Sequence, residues 1–147
     1  MCRKLHDLPA EEVVWQFPRS VAFLGPWQKY RGYCLVVSRR HISELYQLEK
    51  EERGAFLDEM TMMARAIAEV VQPRKINYEL LGNQVAHLHW HLFPRFADDP
   101  DHLKPVWVAI DGAEGDAEIQ NRLRDESVDR GHLRGLLQAR LRSLLAS

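Results

Sequence analysis

Cysteine is scarce in this chain of 147 residues, and no paired-cysteine motif is present. Cys2 and Cys34 stand far apart, so they indicate neither a disulfide framework nor a zinc site built from thiolates. Long hydrophobic runs are also missing, whereas a transmembrane helix needs about 18 or more consecutive apolar residues. The first residues lack the apolar core of a secretory signal. We therefore expect a cytoplasmic protein with reduced thiols and no membrane partner.

An excess of charge of either sign is absent as well. The chain has 20 Lys and Arg against 21 Asp and Glu, a net charge of −1. No basic field attracts nucleic acid, so a nucleic-acid partner is not expected. The length and the 46% of hydrophobic residues fit one globular domain. We expect that domain to span 1–147, with a motif-bearing core at about 13–95 and a C-terminal helical extension at about 116–146.

The first half of the chain predicts strands followed by a helix. Two short apolar stretches, 13–17 and 21–24, are separated by Pro18 and its neighbours, which indicates a hairpin. The apolar run 33–38 is typical of a strand buried on both faces. Apolar residues then recur at helical spacing through 48–71, and these predict an amphipathic helix that Pro73 ends.

The second half predicts a further hairpin and then helix. Strands at 76–81 and 85–93 are expected to pair through a tight turn at Gly82 and Asn83. A short apolar stretch at 106–110 follows a polar loop, and leucines at helical spacing from Leu133 onward predict an amphipathic C-terminal helix.

Three of the seven histidines fall within five residues. His87, His89 and His91 alternate with Leu88 and Trp90. A strand places alternate side chains on opposite faces, so the histidines are expected along one exposed face, with Leu88 and Trp90 in the core behind them. The Cα atoms of successive histidines would then stand about 7 Å apart.

A metal site is one interpretation of this pattern. A His-x-His pair on a strand can hold zinc with a third ligand, and Glu79 on the neighbouring strand could reach it. The Cα atoms of the three histidines would span about 13 Å, whereas zinc nitrogens lie about 2.0–2.1 Å from the ion. This geometry favours a site that requires no metal.

Nucleophilic catalysis is the other interpretation. A neutral imidazole is a good nucleophile near pH 7, because its usual pKa of about 6.5 leaves the lone pair mostly free. Neighbouring imidazoles can orient it, protonate a leaving group and balance developing phosphate charge.

The segment 87–93 resembles the signature of the histidine triad (HIT) family, His-φ-His-φ-His-φ-φ with φ apolar, and matches it at every position. Pro94 and Arg95 after it, and the strand at 32–41 that ends in a basic pair and His41, are also similar to HIT proteins. The closest resemblance is to bacterial members loosely grouped as diadenosine tetraphosphate hydrolases.

The resemblance implies an α+β fold: a mainly antiparallel sheet of about five strands with one long helix, usually in a homodimer. By position, His89 matches the nucleophile that attacks the α-phosphate. His91 matches the histidine beside the leaving group, His87 the supporting member, and His41 a histidine commonly found near it. Gln84 falls where many members place a Ser or Thr that binds phosphate, and Asn83 falls where many have Gln.

Two departures from the family pattern affect the expected pocket. Many members carry an acidic or amide residue after the second strand that holds the ribose hydroxyls, but here 25–27 reads Gly-Pro-Trp. The Gly-rich loop before the triad is shortened to 82–84. We therefore expect weak discrimination between ribose and deoxyribose, with Glu79 or the 98–107 loop as alternative sources of a contact. Trp27 is either a base-stacking residue or a buried aromatic, and Arg95 either contacts phosphate or forms a structural ion pair.

Three functions remain compatible with these residues. The first is hydrolysis or transfer at the α-phosphate of dinucleoside polyphosphates or nucleoside phosphoramidates through a nucleotidyl-histidine intermediate, with no cofactor required. The second is a metal-dependent hydrolase that uses the His-x-His strand. The third is a non-catalytic module that binds a nucleotide, for which three aligned imidazoles are not needed.

Overall fold

A five-stranded antiparallel sheet organises the computed structural model, which describes residues 9–147. The strand order is β1-β2-β3-β5-β4. The strands are β1 (Val13–Gln16), β2 (Ser20–Leu24), β3 (Cys34–Ser38), β4 (Lys75–Glu79) and β5 (His89–Arg95). Four α-helices accompany the sheet: α1 (Lys50–Val71), α2 (Val106–Gly112), α3 (Ala117–Arg124) and α4 (Arg130–Ala146). The expected α+β fold is confirmed. Cys2 lies outside the described residues, and so does the N-terminal segment for which no secretory signal is predicted.

The long helix α1 covers one face of the sheet. Its first turn carries Glu51 and Glu52, which suit the positive end of the helix dipole. A buried stripe at helical spacing, which includes Phe56, Met63 and Ile67, packs on the apolar residues that the strands direct to this side. The helix ends at Gln72 in the left-handed conformation, immediately before Pro73. The predicted helix is confirmed, and its stripe forms the main core.

The connection between β4 and β5 differs from the expected tight turn. The strands do pair antiparallel, with Glu79 opposite His91, but residues 80–88 separate them. The backbone of Leu88 instead bonds to Ser38 N–H at the end of β3, at 3.0 Å, and to Ile42 C=O in the loop after it, at 2.8 Å. The prediction of a two-residue turn at Gly82 and Asn83 is wrong, because local turn propensity cannot reveal that these hydrogen bonds go to β3 rather than β4.

The C-terminal helices enclose the sheet from both sides. Helices α2 and α3 pack on the face opposite α1, where Val106, Ala113 and Leu123 join Val37 and Phe93 in a second apolar cluster. The predicted C-terminal helix is confirmed as α4, which packs against α1 and β1. Within residues 9–147, no helix is long and apolar enough to cross a membrane.

Candidate active site

A cavity of about 620 Å³ lies on the sheet face covered by α2 and α3. His89 and His91 on β5 line it, together with Leu35 on β3. Register explains their proximity, because Leu35 pairs with His91 and Val37 with His89. The loop 81–85 and residues of the C-terminal helices form the walls. The remaining lining residues are Pro26, Trp27, Tyr33, Leu81, Gly82, Asn83, Gln84, Val85, Trp107, Ile110, Asp111, Glu114 and Gln120.

His89 is held in one tautomer by the backbone. Its Nδ1 lies 2.6 Å from the carbonyl oxygen of His87, which only accepts hydrogen bonds, so Nδ1 carries the proton. Nε2 therefore carries a lone pair and no proton, and it lies within hydrogen-bonding distance of Nε2 of His91, at 3.1 Å. Although the side chain is only 6% exposed, it contributes to the cavity wall. The arrangement presents an unprotonated ring nitrogen beside a second imidazole.

His91 is enclosed by aromatic rings. The hydroxyl oxygen of Tyr33 lies 2.7 Å from Nδ1, and the indole of Trp107 meets the imidazole edge to face at 5.2 Å between ring centroids. Burial, together with a smaller electrostatic effect of His89, lowers the pKa of His91 to about 4. In the absence of an anion His91 is therefore neutral at pH 7.

His87 stands apart from the other two triad members. It precedes β5, and its Nε2 donates to the carbonyl oxygen of Ser38 at 2.6 Å. Nδ1 lies 3.2 Å from Nδ1 of His41, which places His41 beside His87 as the resemblance implied. Burial lowers the pKa of His87, against the opposing effect of the Ser38 hydrogen bond.

The expectation of three histidines on one exposed face is therefore wrong in two respects. His87 does not line the cavity, and all three rings are buried. Strand alternation holds for His89 and His91 only, because β5 begins at His89 and the chain bends before it. Leu88 is buried as expected, whereas Trp90 is only half-buried against Phe56.

Three further residues proposed from the sequence lie at the cavity. Asn83 and Gln84 are exposed in the loop before β5 and line the entrance. Trp27 is half-buried, packs on the α2–α3 cluster and also lines the cavity, so base stacking by this residue stays a prediction. The guanidinium of Arg124 lies 5.7 Å from the centre of its ring.

Arg95 and Glu79 have structural partners instead. The guanidinium of buried Arg95 donates to the carbonyl oxygens of Asp101 at 2.8 Å and Lys104 at 2.7 Å, and so fixes the loop before α2. A carboxylate oxygen of Glu79 accepts from the indole N–H of Trp107 at 2.5 Å. The structural interpretation of Arg95 is the one that the geometry supports, and Glu79 orients Trp107 rather than facing the cavity.

Sequence reasoning missed Tyr33 and the wall contributed by the C-terminal helices. Tyr33 has the same strand parity as Leu35, but only the β3–β5 register shows that this face meets His91. Trp107 and Asp111 are four residues apart, a helical spacing that puts both on one side of α2. Within 9–147, no group of three or more His, Cys, Asp or Glu side chains is arranged to hold a metal ion.

The fold and site together define an α+β protein with a pair of imidazoles exposed to a ligand-sized cavity. Residues 8–98 match the model of the HIT domain, so the chain belongs to the HIT family. It is 29% identical over 106 residues to "Protein hit" of Bacillus subtilis, across 69% of this chain and 72% of that protein.

Two solved structures share this fold over nearly the whole chain. A histidine triad protein from Marinobacter aquaeolei has a TM-score of 0.69 at 24% identity, covering 95% of this chain and 96% of its own. A hypothetical histidine triad nucleotide-binding protein from Sulfolobus tokodaii has a TM-score of 0.69 at 16% identity, covering 97% and 91%. At these identities the likeness concerns the fold alone, and it extends through the C-terminal helices.

Proposed function

We propose that this protein is a nucleotide hydrolase or transferase that acts at the α-phosphate through a nucleotidyl adduct of His89. One observation carries the proposal. The carbonyl of His87 fixes the proton of His89 on Nδ1, so an unprotonated Nε2 lies beside His91 at the cavity. Such a nitrogen offers the lone pair that nucleophilic attack on phosphorus requires.

The reaction divides into two displacements. In the first, the lone pair of His89 Nε2 attacks phosphorus, and the bond to the leaving group breaks with its electron pair going to that group. His91 supplies the proton that the leaving group takes up. Its low pKa in the free protein is raised by the bound phosphate, because a neighbouring anion favours the imidazolium. In the second, a water molecule gives a proton to neutral His91, its oxygen attacks phosphorus, and His89 departs as a neutral imidazole.

The cavity walls support a nucleotide as the substrate. About 620 Å³ falls within the range of small-ligand sites. Trp27 offers an aromatic face for a base, and Asn83 and Gln84 offer amide donors for phosphate oxygens. We infer dinucleoside polyphosphates or nucleoside phosphoramidates as substrates, as in the diadenosine tetraphosphate hydrolase-like group, with His87 and His41 supporting His89 from outside the cavity and no cofactor required.

We also propose a cytoplasmic, single-domain homodimer. Strand β4 forms one edge of the sheet, and Tyr78 on it is 47% exposed. Unpaired strand edges are surfaces that a second copy can cover. A monomer mass by light scattering at micromolar concentration would overturn the dimer.

The test compares His89→Asn with His132→Asn, a matched change of an exposed histidine on α4. Turnover of both substrate classes should fall about a thousandfold or more in His89→Asn, because the covalent step is lost, while affinity and fold are kept. His132→Asn should be unchanged. Mass spectrometry of a quenched wild-type reaction should detect the nucleotidyl adduct.

Other outcomes separate the remaining functions. Near-normal turnover by His89→Asn contradicts the covalent mechanism. Loss of wild-type activity on chelation, together with bound zinc, favours the metal-dependent hydrolase. Nucleotide binding without any turnover by the wild type favours the non-catalytic module.

A further inference from the structure

Tyr33 is a buried residue with its hydroxyl fixed behind one reacting imidazole. It is 2% exposed, and its ring stacks on Phe93 with 3.9 Å between centroids. The hydroxyl oxygen lies 2.7 Å from Nδ1 of His91, the nitrogen that faces away from His89. Packing thus holds the phenol in one position, and its hydroxyl, the only polar group of the side chain, forms a hydrogen bond with His91.

The direction of this hydrogen bond follows from the neighbouring contacts. His89 has its proton on Nδ1, so its Nε2 accepts, and the atom 3.1 Å away must donate. That atom is Nε2 of His91, which therefore carries the proton of this ring. Nδ1 of His91 is left as an acceptor, and the Tyr33 hydroxyl donates to it. Burial raises the pKa of Tyr33 well above its usual value, so the phenol keeps the proton that it donates.

We propose that Tyr33 is a positioning residue that holds His91 in the Nε2–H tautomer in the free protein and, once the bound phosphate has made the ring an imidazolium, keeps its Nε2–H directed toward the leaving group of the substrate. The proposal rests on the function proposed above. A hydroxyl both donates and accepts, so the same group accepts from Nδ1–H when His91 gains its second proton. The ring keeps one orientation in both protonation states.

Gly25 is the second residue that this arrangement requires. A Cβ atom built on Gly25 would lie 2.2 Å from Cε1 of Tyr33, a distance that packed atoms do not adopt. The position after β2 therefore admits no side chain while the phenol occupies that space.

The first arm of the test measures tautomers in the free protein by two-bond ¹H–¹⁵N correlation of the imidazoles at neutral pH. We expect the Nε2–H form of His91 in the wild type and a mixture of both forms in Tyr33→Phe, which keeps the ring packed on Phe93. Tyr30→Phe is the matched control, since Tyr30 meets the same Phe93 ring edge to face, and should match the wild type. An Nδ1–H form in the wild type, or an unchanged ratio in Tyr33→Phe, overturns the proposal even if the protein has no turnover.

The second arm measures kinetics with two leaving groups. With a poor leaving group, such as an alkylamine, Tyr33→Phe should lower kcat about tenfold or more. KM should stay within about twofold, because ground-state binding is unaffected. With an activated leaving group, kcat should change little, since proton donation matters less. An equal loss with both leaving groups indicates a general structural defect and contradicts the positioning role.

Discussion

Burial makes the charge state of individual histidines depend on the fold. His91 is 8% exposed among aromatic rings, and desolvation opposes its imidazolium form. His87 experiences the same effect before β5, with His41 and His89 as further unfavourable neighbours. His91 is therefore neutral in the free protein at pH 7, and the same burial couples stability to pH.

The depressed pKa of His91 predicts acid destabilisation. The folded pKa is about 4, and the unfolded value is about 6.5. Stability from this group is fully present above the unfolded pKa and is lost as the pH falls toward the folded pKa. Between pH 7 and pH 5, His91 should lower the free energy of unfolding by about 2 kcal/mol, measured by urea denaturation. The lowered pKa of His87 acts in the same direction.

Substitution separates this effect from general acid sensitivity. His91→Asn should lose less stability between the two pH values than the wild type, whereas His132→Asn, on the exposed side of α4, should keep the wild-type dependence. An identical pH dependence in His91→Asn would show that this imidazole is not the source.

At the scale of elements, helix α2 supplies one wall of the cavity and the loop 81–85 supplies another. Trp107 lies against His91, and Glu79 on β4 fixes the indole through its N–H. Asp111 and Glu114 follow on the same side and are exposed at the cavity. Glu79 is thus committed to Trp107, so the carboxylates available to a ribose in the described cavity are those of Asp111 and Glu114.

Weak ribose discrimination is the prediction for this wall. Exposed carboxylates contribute about 1 kcal/mol or less, because water competes for them. That corresponds to about fivefold in kcat/KM. We expect adenosine and 2′-deoxyadenosine phosphoramidates to differ by no more than about tenfold, and Asp111→Asn to reduce that difference. Glu118→Gln, paired with Arg122 outside the cavity, is the control. A strong ribose preference that Asp111→Asn removes would assign the ribose contact to Asp111 and contradict the prediction.

At the scale of the whole molecule, the C-terminal helices pack on both faces of the sheet. Helix α4 buries Leu133, Leu137 and Leu141 in the main core against α1. Arg140 on the same helix pairs with Glu69 on α1. Helices α2 and α3 meanwhile close the opposite face, so residues from 106 onward pack on both faces of the sheet that carries the site.

Two adjacent leucines test this integration. Leu137 is fully buried, whereas Leu136 is 38% exposed. Leu137→Ala should lower the free energy of unfolding by about 2–5 kcal/mol, because it leaves a cavity between α4 and the sheet layer. Leu136→Ala should cost much less, and thermal or urea denaturation compares them. We expect a single unfolding transition, with its midpoint lower in Leu137→Ala than in the wild type. Equal small effects of both variants would show that α4 contributes little to the core.

The local elements of this protein were predictable from the sequence. The stripe of α1, the first hairpin and the leucines of α4 follow residue periodicity, which reflects which side of an element meets the core. The alternation of His89 and His91 with apolar residues likewise placed two imidazoles on one face, and the HIT signature named the family that the domain match confirms.

Only the tertiary structure decided how the site is enclosed. The backbone of Leu88 pairs with the end of β3 and the loop that follows it, so His87 lies outside β5 and a long loop carries Asn83 and Gln84. The β3–β5 register brings Tyr33 behind His91, and α2 folds over the sheet to add Trp107. Periodicity indicates whether a residue faces a core. Contacts between distant segments depend on strand register and on how the helices pack, and no local sequence pattern encodes register or helix packing.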